Sequence, residues 1–181
     1  LTPAKQCFPK RSRSMKRLLR RAKHGGRRIL STNNLAVVGS PIEHSKSPQL
    51  HAAAYGVLGL DWSYVRNEVR EGDLGDFVAG LDTSWRGLSA TMPLKRNAFD
   101  LSHSRDAHAE LTGAVNTLAF SYVDGRRVIH GFNTDVFGIT QALSSADVTG
   151  IDHAVILGAG ATAESALVAL DVLGAGFVTV A

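Results

Sequence analysis

Seven polar side chains lie where strands of a parallel sheet would end or where helices would begin. Open α/β sheets bind ligands at that edge of the sheet. Hydroxyl, amide and ammonium groups placed together suit a ligand that carries hydroxyls or a carboxylate, since buried polar groups must be paired. A lysine and an aspartate that converge on one substrate can also exchange protons with it. These residues are Ser45, Lys46, Ser47, Thr91, Lys95, Asn116 and Asp135.

Each of these residues also has a simpler structural interpretation. Ser47 precedes a proline, which is typical of a helix N-cap, and Asp135 fits the same role at a later helix. Asn116 suits a turn, and Lys95 suits a solvated position on the surface. From residue type and position alone, both interpretations stay open.

A glycine-rich sequence near the end of the chain has the GxGxxA spacing of a dinucleotide-binding loop. In such a loop the first glycine permits a tight turn, the second lets a pyrophosphate approach the backbone, and the phosphates meet a helix N-terminus. Residues 154–157, 162–173 and 177–181 read as strand, helix and strand, the context that the motif requires. The residues expected to bind a dinucleotide are Gly158, Ala159, Gly160, Ala161 and Thr162.

From residue 35 onward, short apolar runs alternate with amphipathic segments. This pattern predicts an α/β fold with an open, mostly parallel sheet. A hairpin is expected around Asp124-Gly125, and helices are expected to begin at Ser47 and at Thr134 or Asp135. The other expected strands are LAVVGS, WSYVRNEV and WRGLSATMP, and the other expected helices are DLGDFVAGL, RNAFDL and RDAHAELTG.

Charge is unevenly distributed along the 181 residues, of which 44% are hydrophobic and 20% charged. Eleven of the 20 lysines and arginines fall between residues 5 and 28, and no acidic residue precedes Glu43. The remainder carries 9 basic and 16 acidic residues, a net charge of −7. The basic segment has the composition of a nucleic-acid-binding tail or a transit peptide. We favour a disordered leader at residues 1–34, and we do not expect nucleic acid as a partner.

The cysteine and histidine content argues against disulfides and metal sites. Cys7 is the only cysteine, so one chain can form neither an internal disulfide nor a cysteine-based metal site. The seven histidines follow no metal-ligand spacing, so no metal is expected. No run reaches the roughly 18 apolar residues of a membrane span. We therefore expect a cytoplasmic protein without a membrane partner.

Five segments, taken in order, resemble the shikimate dehydrogenase family. They read AVVGSPIEHSKSPQLHAAAYGVLGL, GLSATMPLK, LTGAVNTL, GFNTDVFGI and VILGAGATAESALVAL, and they cover about residues 35–181. The resemblance implies a shikimate-binding α/β domain at residues 35–134. It implies a connecting helix and the first βαβ unit of a Rossmann NADP-binding domain at residues 135–181.

Members of that family reduce 3-dehydroshikimate to shikimate with NADPH in the biosynthesis of chorismate and the aromatic amino acids. The resemblance implies the same NADP-dependent oxidoreductase activity for this chain. It implies that Ser45 and Ser47 hold the substrate carboxylate and that Lys95 and Asp135 form the catalytic acid/base pair. The other implied substrate contacts are Ser89, Thr91 and Asn116.

The chain departs from the family pattern in two places. The family commonly has Asn-Val before the threonine of its TxPxK segment, whereas this chain has Ser89-Ala90, so the preference among shikimate, quinate and related acids is open. The chain also stops after one βαβ unit, without the later strands or the NADP-selecting basic residues. We interpret it as a fragment whose activity by itself is an open question.

Two other functions stay open from the sequence. One is a quinate/shikimate dehydrogenase that uses NAD, which assays of quinate with NAD against shikimate with NADP would separate. The other is a noncatalytic shikimate- or quinate-binding regulatory module, which salt-dependent DNA retention by residues 1–34 would favour. Lys95 and Asp135 argue for an enzyme. The oligomeric state, including a homodimer, is also open.

Overall fold

The computed structural model describes residues 33–181, and all of them belong to one compact unit. Cys7 and nearly all of the proposed basic leader lie outside the described residues. Strands alternate with helices along this part of the chain, except that one pair of consecutive strands forms a hairpin. The strands are β1 (Asn33–Gly39), β2 (Trp62–Glu68), β3 (Trp85–Ala90), β4 (Ser104–Arg105), β5 (Thr117–Val123), β6 (Arg126–Phe132), β7 (His153–Ile156) and β8 (Phe177–Val180). The helices are α1 (Ser47–Leu58), α2 (Leu74–Ala79), α3 (Lys95–Leu101), α4 (Ala107–Thr112), α5 (Asp135–Ser145) and α6 (Ala161–Val172).

The strands β1 to β6 form one sheet in the order β2-β1-β3-β5-β6-β4. β1 is parallel to β2 and β3, and β4 is parallel to β6, whereas β5 runs antiparallel to both β3 and β6. β7 and β8 form a second, parallel pair. The predicted α/β class with a mostly parallel sheet is confirmed, and the β5-β6 hairpin turns at Asp124 and Gly125 as predicted, both with positive φ.

Strand β1 is buried on both faces of the sheet. Ala36 and Val38 are 0% exposed and belong to the larger apolar core, whereas Val37 belongs to a smaller cluster with Tyr55 and Tyr64. Successive side chains of a strand point to opposite faces, so these two clusters cover opposite sides of the sheet. Burial on both faces explains the continuous apolar run in this strand.

The start of α1 differs from the prediction by one residue. The predicted N-cap at Ser47 is wrong, because Lys46 occupies the N-cap position and Ser47 is the first helical residue. The Ser47 N–H donates to the Ser45 hydroxyl oxygen at 3.3 Å, so the serine before the lysine satisfies this amide. Gly59 ends the helix with φ of 65°, a left-handed conformation that glycine adopts readily.

Within residues 33–181, none of the helices combines the length and the apolar character needed to cross a membrane.

Close packing between β3 and β5 requires Gly87. A Cβ at this position would overlap the carbonyl oxygen of Leu118, and two backbones cannot easily separate there. We expect Gly87→Ala to lower the free energy of unfolding by about 2 kcal/mol, measured by urea denaturation. The matched control is Gly56→Ala in α1, where an added Cβ meets nothing within 4 Å. It is expected to raise stability by about 0.5–1 kcal/mol. Equal stability of Gly87→Ala and the wild type would refute this close approach.

Candidate active site

The segment that follows β3 carries Thr91 and Lys95 and is tied to β1 by backbone hydrogen bonds. The Thr91 N–H donates to the Val38 carbonyl at 2.9 Å, and the Ser40 N–H donates to the Met92 carbonyl at 3.1 Å. Lys95 is the first residue of α3. These two bonds hold the beginning of the segment, and at its other end the Val115 N–H donates to the Lys95 carbonyl at 2.9 Å, so the lysine side chain starts from a fixed backbone position.

Asn116 reaches the same edge of the sheet from the start of a strand, not from its end. β5 runs antiparallel to β3, so the start of β5 lies beside the end of β3, where the Ala90 N–H donates to the Asn116 carbonyl at 2.8 Å. The Asn116 side-chain amide donates to Asp135 Oδ1 at 2.7 Å and to Thr134 Oγ1 at 2.9 Å. Asn116 is thus a bridging residue of the site and not only a turn residue.

Lys95 and Asp135 form an ion pair, with Nζ 2.6 Å from Oδ2. The same ammonium group donates to Thr162 Oγ1 at 3.0 Å, at the beginning of α6. The side chains of Lys95 and Asp135 are 14% and 27% exposed, so water has limited access to the pair. With Asn116 on one oxygen and Lys95 on the other, both carboxylate oxygens of Asp135 have donors.

The side chains that cap the first turn of α5 are those of Asn133 and Asn116, not those of Thr134 or Asp135. Thr134 is the N-cap residue, as predicted, but its side chain makes no capping bond. Instead, the Asp135 N–H donates to Asn133 Oδ1 at 3.0 Å, and the Thr134 N–H donates to Asn116 Oδ1 at 3.1 Å. The predicted capping roles of the Thr134 and Asp135 side chains are therefore wrong, and two asparagines perform that role.

Asn133 supports the site and was missed by the sequence analysis. It is 1% exposed, and its amide nitrogen donates to Thr112 Oγ1 at 2.8 Å, the Ala114 carbonyl at 3.2 Å and Ser165 Oγ at 3.0 Å. A local signal for it exists, because an asparagine often bonds the backbone two residues further on, as Asn133 does at Asp135. Its contact with α6 carries no comparable signal.

The serines of the SKS triplet lie after β1, at the edge shared with the end of β3. Ser45 and Ser47 are half-buried, whereas Lys46 is exposed to solvent. No hydrogen bond within the described chain joins either serine to Lys95 or Asp135. Ser89 lies inside β3, and its hydroxyl accepts a hydrogen bond from the Tyr64 phenol at 2.7 Å. The substrate roles assigned to these serines stay predictions.

A cleft of about 440 Å³ lies between the segment after β3 and the glycine-rich loop. Thr91, Lys95 and Arg96 line one side of it. Arg96 also forms an ion pair with Glu164 in the first turn of α6. The predicted cofactor residues that line the other side are Gly158, Gly160, Ala161 and Thr162, while Ala159 is exposed on the same loop.

The glycine-rich loop fits the pyrophosphate of a dinucleotide. Gly158 has φ of 108°, a backbone conformation that side-chain-bearing residues rarely adopt. Gly160 is the N-cap of α6, and an added Cβ there would enter open space, the space that a close ligand needs. The first amides of a helix have no acceptor inside the helix, and they favour an anion together with the helix dipole.

Comparison with known proteins agrees with the geometry. Residues 37–118 match the model of the shikimate dehydrogenase substrate binding domain. A shikimate dehydrogenase (NADP(+)) from Methanopyrus kandleri is 40% identical over 154 residues, which make up 83% of this chain and 51% of that protein. The chain thus spans about half the length of this curated relative.

Solved structures similar to this chain are also described as shikimate dehydrogenases. A shikimate 5-dehydrogenase from Mycobacterium fortuitum is 43% identical with a TM-score of 0.70, and the match covers 82% of this chain and 53% of that one. A shikimate 5-dehydrogenase from Listeria monocytogenes in complex with shikimate and NAD is 33% identical with a TM-score of 0.72, covering 87% and 54%. By fold, ordered motifs and sequence identity, this chain belongs to the shikimate dehydrogenase family.

Proposed function

We propose that this chain binds shikimate and carries the catalytic pair for the NADP-dependent interconversion of shikimate and 3-dehydroshikimate. The observation that supports this most is the position of the Lys95 ammonium group. It bonds Asp135, beside the predicted substrate residues, and Thr162, on the helix that follows the glycine-rich loop. A proton donor in that position can serve a reaction between a substrate and a dinucleotide.

The substrate is held by hydroxyl and amide groups. Ser45 and Ser47 bind the shikimate carboxylate through their hydroxyls, which suits an anion because each can donate one hydrogen bond. Asn116 and Asp135 bind ring hydroxyls. The remaining proposed contacts are Ser89 and Thr91.

The chemistry follows from the ion pair. NADPH, when bound, supplies the hydride that reduces the ring carbonyl of 3-dehydroshikimate. Lys95 donates a proton from Nζ to the carbonyl oxygen as negative charge develops there, and it takes that proton back in the reverse reaction. Asp135 orients the ammonium through its Oδ2 at 2.6 Å, while Asn116 holds Oδ1 of the same carboxylate at 2.7 Å.

The backbone of residues 158–162 would hold the pyrophosphate of the cofactor. Relatives named shikimate dehydrogenase (NADP(+)) favour NADP for this chain. The Listeria monocytogenes structure, described with shikimate and NAD, keeps NAD as a comparison in the test. The regulatory alternative lacks a specific observation in its favour, whereas an enzyme explains the paired lysine and aspartate.

The test is a set of four assays with the purified protein, in which shikimate or quinate is oxidised with NADP⁺ or NAD⁺ and reduced nicotinamide is followed by its absorbance. We expect shikimate with NADP⁺ to give the highest kcat/KM. A preference for quinate with NAD⁺ would replace the proposal with the quinate enzyme. Failure to reduce either cofactor, together with failure to bind shikimate in calorimetry, would overturn it.

The homodimer, the cytoplasmic location and the domain boundaries stay predictions. Light scattering coupled to size-exclusion chromatography would measure the mass in solution. A mass of one chain would argue against the homodimer.

A further inference from the structure

Tyr64 and Ser89 lie on the same face of the sheet, on the two strands that flank β1. Tyr64 pairs in register with Leu35, and Ser89 pairs with Val37, two residues further along β1. Side chains two residues apart in a strand share a face. Across this face the Tyr64 phenol donates to Ser89 Oγ at 2.7 Å. Tyr64 is 9% exposed, so water competes little for this bond.

His51 connects this pair to the start of α1. Its ring stacks on the Tyr64 ring, with centroids 3.8 Å apart and an interplanar angle of 8°. Its Nδ1 lies 2.8 Å from the Ser47 carbonyl oxygen. A carbonyl can only accept, so this bond requires the proton on Nδ1. Tyr64 therefore contacts Ser89 directly and, through His51, the helix that begins at Ser47.

Because Tyr64 donates the hydrogen bond to Ser89, the Ser89 hydroxyl remains available as a donor. Burial raises the pKa of the Tyr64 phenol, against a smaller lowering by the hydrogen bond to Ser89. The phenol stays protonated at neutral pH, so its proton is available for the bond to Ser89 Oγ. A serine hydroxyl has one proton and two acceptor positions. With one acceptor position occupied by Tyr64, Ser89 retains its own proton for a second partner.

We propose that Tyr64 is a positioning residue that holds the Ser89 hydroxyl as a hydrogen-bond donor to the substrate, so that the site selects acids with an oxygen acceptor at that position. The inference rests on the proposed function, because it requires a shikimate-type ligand beside Ser89. A hydroxyl rotates freely when it has no partner, and a fixed second bond removes that freedom before the ligand arrives.

The experiment compares Tyr64→Phe, Ser89→Ala and the double variant by calorimetric titration with shikimate. Tyr64→Phe keeps the ring that stacks on His51 and removes only the hydroxyl. We expect each single variant to bind shikimate about fivefold more weakly. The double variant is expected to bind no more weakly than either single variant, because both changes remove the same contact. In turnover assays, KM for shikimate rises while kcat stays within about twofold.

Tyr55→Phe is the matched control, since it removes a phenol from the same apolar cluster and leaves the Tyr64–Ser89 bond intact. It is expected to bind shikimate as the wild type does.

If Tyr64→Phe binds normally while Ser89→Ala is weakened, or if the two effects add in full, the inference is wrong and the proposed function still stands. If the wild type does not bind shikimate, the proposed function fails and the inference fails with it. Should Tyr64→Phe lose its thermal transition, Ser89→Thr keeps the hydroxyl and is expected to retain binding, and loss of binding in that variant would count against the inference.

Discussion

Replacing Lys95 with alanine is expected to lower kcat by about a thousandfold while KM for shikimate changes by less than about threefold. In the proposed mechanism the ammonium group transfers a proton at the ring carbonyl, whereas the hydroxyl and amide groups bind the substrate. Lys95 lies 2.6 Å from Asp135 and 3.0 Å from Thr162, so its removal deletes the donor between the two proposed binding regions. Steady-state kinetics with shikimate and NADP⁺ measure both parameters.

The Lys95→Arg variant tests whether Lys95 acts by transferring a proton or only through its positive charge. Arginine keeps the positive charge beside Asp135 but does not give up its proton in proteins, so this variant is expected to be folded and nearly inactive. Arg126→Ala, at the exposed turn of the β5-β6 hairpin, is the control for loss of one positive charge and is expected to be fully active. Near-normal kcat in Lys95→Ala would remove the lysine from the mechanism.

Asn133→Ala is expected to lower the free energy of unfolding by about 3 kcal/mol. The buried amide links three elements, and its loss leaves Thr112, Ser165 and the Ala114 carbonyl without one partner each. The first turn of α5 also loses the acceptor for the Asp135 N–H, so the carboxylate that orients Lys95 loses its support. Urea denaturation measures the stability, and the same samples report kcat.

Gln141→Ala is the matched control for Asn133→Ala. Gln141 is an exposed amide on α5 that donates to Ser145 Oγ at 3.2 Å. Its removal is expected to change stability by less than about 0.5 kcal/mol. A loss in Asn133→Ala as small as in this control would mean that water replaces the buried amide.

Much of the architecture could be predicted because it depends on local signals. The Asp124-Gly125 turn, the glycine at the end of α1 and the βαβ unit around Gly158 all follow from residue preferences within a few positions. β4 escaped prediction, since two residues are too few to show any periodicity. Its position depends on pairing with β6, far along the chain.

The candidate site also combines features that local sequence signals predict with features that depend on residues far apart in the chain. The motif order pointed to Lys95 and Asp135, but their contact across 40 residues depends on the strand order β3-β5-β6. Asn133 could be suspected as a capping residue, whereas its burial depends on Thr112 and Ser165, 21 and 32 residues away. Tyr64 reads as an ordinary strand tyrosine until Ser89 is placed beside it.

The central claim is that the described residues form a shikimate site, and a calorimetric titration of the purified chain with shikimate tests it most directly. The account predicts saturable binding of one shikimate per chain, weakened about tenfold or more when Ser45 and Ser47 are both replaced by alanine. Binding of equal strength in the wild type and the double variant, or no binding in the wild type, would contradict the account.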